Sequence, residues 1–195
     1  MQIPESEMQK ILKTKMPNTY YFYDKETEYV KKEHICLNNF EESPFVDEKG
    51  DKYKSVEHYY QSHKFVDLDK NAFNEIKNCE NADLCKKTAR KYEKEYENKW
   101  DRKKWDESEK EFYMKKGLMF KFSQNLNMLK VLLDTGNYTL VERSPRDPFW
   151  GGLLPNSLNK LGEMLMIIRD NFKKNNGYVF IDGCGLEPIK VNLDY

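Results

Sequence analysis

Apolar and polar positions along this chain follow two periods in turn. "YYFYD", Tyr20 to Asp24, is a short aromatic run of strand type. "HICLNNF", His34 to Phe40, is a second apolar segment. "DEKGDKY", Asp47 to Tyr53, sets Gly50 among polar residues and predicts a hairpin turn. The first 53 residues therefore predict a small antiparallel sheet. From Ser55 the period turns helical. Ser55 is an N-cap type and starts a helix running to about residue 66. Asn71–Asn78 and Asn81–Lys99 continue in helical style. Phe112, Leu118, Met119, Phe122, Leu126, Leu129 and Leu133 recur at helical spacing, which predicts one long helix from near Ser108 to a stop at Gly136. Tyr138–Glu142 reads as a strand, Arg143–Ser157 as a Pro- and Gly-dense loop, and Leu158–Lys174 as a helix. The tail beyond it reads as two short strands around a Gly-rich turn. The pattern predicts an α+β fold: a single helix-rich domain over residues 20–174 with a small antiparallel sheet. Residues 1–19 form a tail or short helix, and 175–195 a C-terminal extension packed on the domain.

Composition adds weight to an aromatic core. Of 195 residues, 38% are hydrophobic and 34% charged, yet 14% are aromatic, too many for a disordered chain. The formal net charge of zero argues against a general polyanion-coating protein and leaves room for a local basic cleft. Cys36, Cys79, Cys85 and Cys184 form no C-x-x-C pair, and His34, His58 and His63 do not stand near them at zinc-finger spacing. No metal site is expected, and reduced thiols in a cytoplasmic or nuclear protein fit the cysteines best. The N-terminal stretch lacks the apolar segment of a secretory leader, and no run approaches a membrane span. The Lys- and Glu-interleaved stretch from Asn81 to Lys99 reads as a solvated helix face.

Candidate chemistry concentrates in "YKSVEHYYQSHKF", Tyr53 to Phe65. On a helix, Glu57, Tyr60, Gln61 and Lys64 share one stripe, beside the more apolar Val56, Tyr59 and His63. Two readings stand side by side. Glu57 in the first turn and Lys64 near the last are where a helix dipole favours them. The same spacing also aims both charges along the edge of a pocket. A second candidate is the loop from Glu142 to Trp150, where Glu142 and Asp147 precede Trp150 and the pair Gly151-Gly152. Glycines there let a backbone approach a ligand closely. The alternative is a surface loop with Trp150 anchored in the core. Trp100 and Trp105 flank "DRKK", and either suits stacking or packing.

Taken in order, these segments resemble the NADAR family, the YbiA-like N-glycosidases. The resemblance runs from about Tyr20 to Asn171 and rests on "NNF" at 38–40, "SVEHYYQSHKF" at 55–65 and "KKWDESEKEFYMKKGLMFKFSQN" at 103–125. It continues through "LLDTG" at 132–136, "LVERSPRDPFWG" at 140–151 and "NKLGEMLMIIR" at 159–169. The resemblance implies cleavage of an N-glycosidic bond between a ribosyl carbon and an amine nitrogen, with no cofactor. It carries over Glu57, Lys64 and Asp147 as catalytic residues. Asn39, Phe40, Tyr60, Gln61, Trp105, Trp150, Gly151 and Asn159 become the expected substrate-binding set, with Trp105 rather than Trp100 matching the family's tryptophan. Two departures bear on substrate choice: the stretch after Trp150 is shortened to "WGGLLPNSLN", and the region from Arg90 to Trp105 is expanded and charged.

The expected substrate is ADP-ribosylated guanine in a nucleotide or nucleic acid, with ADP-ribose as product. Phosphorylated intermediates of riboflavin synthesis are the alternative, and a non-catalytic ADP-ribose or nucleotide reader is a third reading. A monomer is expected, with no membrane partner. In the mechanism expected of these residues, Glu57 and Asp147 serve the charge and protons of C–N cleavage. Lys64 serves as an imine-forming nucleophile or as a fixed cation.

Overall fold

The computed structural model describes residues 15–174, with 10, 13, 178–179 and 189–190 besides. The chain divides into two compact units, Met1–Asn38 with Lys130–Asn176, and Asn39–Leu129 with Gly177–Tyr195.

The second of these holds most of the helices. Strands β2 (Phe45–Val46) and β3 (Lys52–Tyr53) pair antiparallel, Phe45 opposite Tyr53. Asp47 Oδ1 accepts the N–H groups of Lys49 and Asp51, and Gly50 supplies the left-handed residue at φ +84° that closes the turn. Helix α1 (Val56–Ser62) follows, and Ser55 Oγ accepts the N–H of His58 at its start. A 3-10 turn, His63–Phe65, extends it. Helix α2 (Lys70–Lys77) is capped by Asp69 and α3 (Ala82–Glu95) by Asn81. A short turn at Arg102–Lys104 runs into a π-helical turn, Trp105–Glu109, and then into α4 (Lys110–Gln124).

Helix α1 is the axis of this unit and packs on α2, α3 and α4. Its buried Tyr59 stands amid rings, with centroids 4.9 Å from Tyr53, 4.0 Å from His63 and 6.0 Å from Phe120. Helix α4 comes close because residue 117 is glycine: a Cβ there would lie 3.1 Å from both Val56 and Tyr59 side chains. A second cluster, Phe65, Ala72, Ile76, Cys85 and Ala89, joins α2 to α3. The aromatic content of the composition is thus spent on ring-on-ring contacts, which add directional stabilisation to buried area.

In the other unit, β1 (Thr19–Phe22) pairs in parallel with β4 (Thr139–Glu142), Phe22 opposite Glu142. Helix α6 (Lys160–Lys174) packs on β4. Arg169 of this helix donates from Nη1 to Thr135 Oγ1 and to the Tyr138 carbonyl, at 2.9 and 2.8 Å. Helix α5 (Leu126–Asp134) runs across the boundary between the units in sequence. Tyr178–Val179 (β5) and Ile189–Lys190 (β6) form an antiparallel pair, as the tail pattern predicts; the turn between them lies outside the described residues.

The helix-rich α+β class is as the sequence predicts, and three details differ. Residues Lys32–Leu37 form a 3-10 helix rather than a strand, because the buried pair His34 and Leu37 are three apart and fall on one edge of such a turn. Strand β1 pairs with the distant β4 rather than with the β2–β3 hairpin. Nearly continuous apolar strands suit parallel pairing, and period alone cannot say which partner they find. The predicted long helix is two helices. Asn125 breaks it at φ −119°, ψ 81°, where its Nδ2 donates to the Lys121 and Pro44 carbonyls.

Candidate active site

Glu57 is fully enclosed in the first turn of α1. Its Oε2 accepts from Asn39 Nδ2 at 2.5 Å and its Oε1 from Gln61 Nε2 at 2.7 Å. Its own N–H donates to the Asn39 carbonyl at 2.9 Å, so the segment around residue 39 is clamped to the helix start twice. Burial pushes the Glu57 carboxyl above the usual carboxylate range, against the pull of Lys86, the Gln61 N–H, Lys64 and the Asn39 N–H. A carboxyl so placed holds a proton more readily than a surface glutamate and still has partners for its ionised form.

Lys64 lies in the 3-10 turn that extends α1, with its side chain 9% exposed. Its Nζ stands 5.4 Å from the Tyr60 ring centroid, 5.6 Å from Trp105 and 5.8 Å from Trp100. One hydrogen bond, to Glu93 Oε1 at 2.5 Å, ties it to α3. Burial pulls the ammonium below the usual lysine value, while Glu93 and then Glu57 pull the other way. Trp105 is placed by the π-helical turn: the Lys110 N–H reaches back five residues to the Trp105 carbonyl. Such turns are frequent at functional sites. The Trp105 ring meets Tyr60 at 5.2 Å and stacks on Tyr113 at 5.7 Å.

Helix α3 adds two charges to this cluster. Lys86 and Glu93 are seven apart and share a face beside the core stripe of Cys85 and Ala89. Lys86 Nζ lies 5.1 Å over the Phe40 ring and is the cation acting most strongly on Glu57. A pocket of about 200 Å³ opens beside Lys64, with His63, Leu68, Trp100 and Lys104 on its wall.

The loop candidates occupy the other unit. Asp147 Oδ1 accepts the N–H groups of Phe149 and Trp150, at 3.0 and 2.9 Å, and the Asp147 carbonyl accepts the Gly151 N–H. Asp147 therefore builds the turn that presents Trp150, whose ring meets Phe149 edge-on at 4.8 Å. Gly151 has no room for a side chain, since a Cβ there would stand 2.6 Å from the Asp147 carbonyl. Asn159, at φ +50°, spans the loop: Nδ2 donates to the Leu140 carbonyl at 2.8 Å and Oδ1 accepts the Glu142 N–H at 3.2 Å. Glu142 is buried at the end of β4.

Known proteins resemble this chain in sequence and in fold. The NADAR domain model matches residues 21–173. The chain belongs to the NADAR domain family. An N-glycosidase of Nostoc punctiforme is 33% identical over 162 residues, covering 80% of this chain and 93% of that protein. The chloroplastic riboflavin biosynthesis protein PYRR of Zea mays is 38% identical over 130 residues, covering 63% of this chain and 20% of the maize protein, so the likeness spans about a fifth of that relative. The solution structure of Escherichia coli YbiA superposes with a TM-score of 0.65 at 28% identity, covering 87% of this chain and 93% of YbiA.

Within this NADAR chain, Asn39, Glu57, Tyr60, Gln61, Lys64 and Trp105 come together around α1, with Phe40 joined through Lys86. Asp147, Trp150, Gly151 and Asn159 are brought together around the end of β4. Sequence reading missed Glu93, Lys86 and Trp100. The first two sit in the stretch read as a solvated face, and the usable signal was their seven-residue spacing alongside Cys85 and Ala89. Trp100 was passed over for Trp105, yet both rings stand by Lys64.

Proposed function

We propose that this chain is an N-glycosidase that cleaves a ribosyl C–N bond, with ADP-ribosylated guanine as its substrate. The observation that carries the reading is the enclosed Glu57, held by two amide N–H groups beside the ring-walled amine of Lys64. Protonated, Glu57 acts as an acid toward the ring oxygen or the leaving amine; ionised, it stabilises the positive charge that develops at the anomeric carbon. Opening the sugar ring leaves an iminium at that carbon. The neutral Lys64 amine adds to it, its surplus proton passes to the departing nitrogen, and the amine leaves. Water then releases the sugar as the aldehyde and restores Lys64. The name of the Nostoc relative supports glycosidase chemistry. A pyrophosphate-bearing substrate is favoured by Lys86 beside Glu57 and by Lys99 of the expanded segment on the pocket wall, where Lys104 is paired with Glu109.

Phosphorylated riboflavin intermediates are the second reading, favoured by the naming of the maize relative. The purified protein is incubated in parallel with ADP-ribosylated guanosine and with a ribosylamino-pyrimidine phosphate, and release of the free sugar is followed. Faster release from the guanine substrate supports the proposal. Preference for the pyrimidine transfers it to the second reading. Tight ADP-ribose binding with no release from either makes the chain a reader rather than an enzyme.

A further inference from the structure

Lys64 faces two acids, and they are not equivalent. Both oxygens of Glu57 already accept amide N–H groups, one from Asn39 and one from Gln61. Among the described residues, Glu93 is the carboxylate in hydrogen-bond contact with Lys64 Nζ, at 2.5 Å. Its side chain is 19% exposed against 9% for Lys64, so it is the more solvent-facing of the pair. It reaches the site from a different helix, α3, whose core stripe is locked to α2 through Cys85, Ala89 and Ile76. A lysine walled by Tyr60, Trp100 and Trp105 has little water to take its proton. Protonated, it has no lone pair with which to attack carbon.

We propose that Glu93 is the positioning residue that takes the proton from Lys64 Nζ and so releases the amine for attack at the substrate's anomeric carbon. The inference rests on the amine-attack route of the proposed function. The step is balanced within the pair: Lys64 ammonium and Glu93 carboxylate become Lys64 amine and Glu93 carboxylic acid. With an aldehyde the amine adds to the carbonyl carbon, Glu93 gives its proton to the departing oxygen, which leaves as water, and the product is an iminium. Its positive charge then faces Glu57, and on hydrolysis the Glu93 carboxylate takes a proton from the attacking water and passes it to the departing Lys64 nitrogen, which restores the ammonium. Glu93 does not need to touch the substrate. It sets when Lys64 becomes a nucleophile.

The test uses the full chain with ADP-ribose, whose open form carries an aldehyde, and borohydride to trap the iminium. The rate of adduct formation on Lys64 is read by peptide mass across pH 5–10 in wild type, Glu93→Gln, Glu93→Asp and Glu93→Ala. Thermal melting checks the fold of each, and Glu93→Gln keeps the side chain's size if Glu93→Ala fails to fold. In Glu93→Gln the plateau rate is expected to fall roughly a hundredfold, the usual contribution of a positioned proton acceptor. Glu93→Asp should keep part of it, and formate added to Glu93→Ala should restore it in proportion to concentration. A Glu93→Gln plateau equal to wild type, merely displaced to lower pH, would overturn the proposal: Glu93 would then only hold Lys64 charged. A wild type that forms no adduct would overturn it differently, by removing the amine attack itself. Sugar release from ADP-ribosylated guanosine, measured alongside, would then show whether the glycosidase reading stands without that route.

Discussion

Gln61 Nε2 donates to Glu57 Oε1 at 2.7 Å, and this contact fixes which way the Gln61 amide faces. A carboxylate can only accept, so the amide nitrogen must point at it and the amide oxygen must point away. That oxygen is buried and has no hydrogen-bond partner among the described residues. A buried acceptor left unmet costs about 1–3 kcal/mol, which a substrate donor would recover. Gln61→Leu keeps the bulk and removes both functions. The variant loses a hydrogen bond to the ionised form of Glu57, so the Glu57 carboxyl should rise further above its usual range. The limb of the kcat/KM profile that Glu57 controls is then expected to move to higher pH, together with a raised KM. An unmoved limb in Gln61→Leu would break the link between the amide and the carboxyl.

Glu57→Gln should separate function from stability. Activity is expected to fall by a factor of about 100 or more, since the acid is gone. Stability should not fall with it. A carboxyl whose folded pKa is raised binds more protons folded than unfolded, so its contribution is present at low pH and lost as pH rises through the raised value. Above that raised value the ionised, enclosed Glu57 costs stability, and a neutral amide removes that cost. The melting temperature at pH 7.5 is expected to equal or exceed wild type, and a large drop would argue that the carboxylate is chiefly a structural anchor.

The α1 site was legible in the chain because its chemistry follows helix geometry: Ser55 marks the start, and Glu57, Gln61 and Lys64 follow at helical intervals. What was not legible was the environment. The rings nearest the Lys64 Nζ are Tyr60, Trp100 and Trp105, and of these Tyr60 shares its helix stripe. Trp105 reaches there through a π-helical turn, which leaves no period in the sequence. Glu93 belongs to a stretch where Lys and Glu alternate so densely that one inward-facing acid is lost among outward-facing ones. The parallel pairing of β1 with β4 was equally hidden, because a four-residue run such as Thr19–Phe22 specifies a strand and not its partner.

Acid should unfold the protein through its histidines. His34, His58 and His63 are all buried, and burial pulls each below the usual imidazole value. His58 shows why neutrality is built in. Its Nε2 faces the Cys79 carbonyl, which can only accept, so Nδ1 must take the Ser55 hydroxyl proton as a neutral acceptor. His63, among aromatic rings, is held down at about 4. Between that value and the ordinary one near 6.5 the unfolded chain binds protons that the folded chain does not. Stability is therefore full above about pH 6.5 and declines as pH falls toward 4, by up to roughly 3 kcal/mol from His63 alone. Urea midpoints measured from pH 7.5 to 4 should show the decline, with a shallower slope in His63→Phe. Equal slopes would assign the acid sensitivity to other groups.

Gly162 lets α6 lie close against β4. A Cβ placed on it would lie 2.1 Å from the Leu140 carbonyl oxygen, and also 2.6 Å from Asn159 Nδ2, which donates to that same carbonyl. The side chain could give way, but the carbonyl is strand backbone in register with Tyr20 and cannot. In an exposed helix interior Gly→Ala would gain about 1 kcal/mol from propensity. Here the overlap should outweigh it. Gly162→Ala is expected to destabilise by about 1–3 kcal/mol net, and to lower the melting temperature by about 2–4 °C for each kcal/mol in a chain of this size. Because the Asn159 amide holds both Leu140 and Glu142 in β4, the displacement should also disturb the turn carrying Asp147 and Trp150. Loss of activity is therefore expected to accompany the loss of stability in Gly162→Ala. In Gly136→Ala, at a helix end with φ +59° and open space around it, strain alone should lower stability and activity at permissive temperature should persist. A Gly162→Ala protein that melts at or above the wild-type temperature would show that α6 and β4 can part without cost.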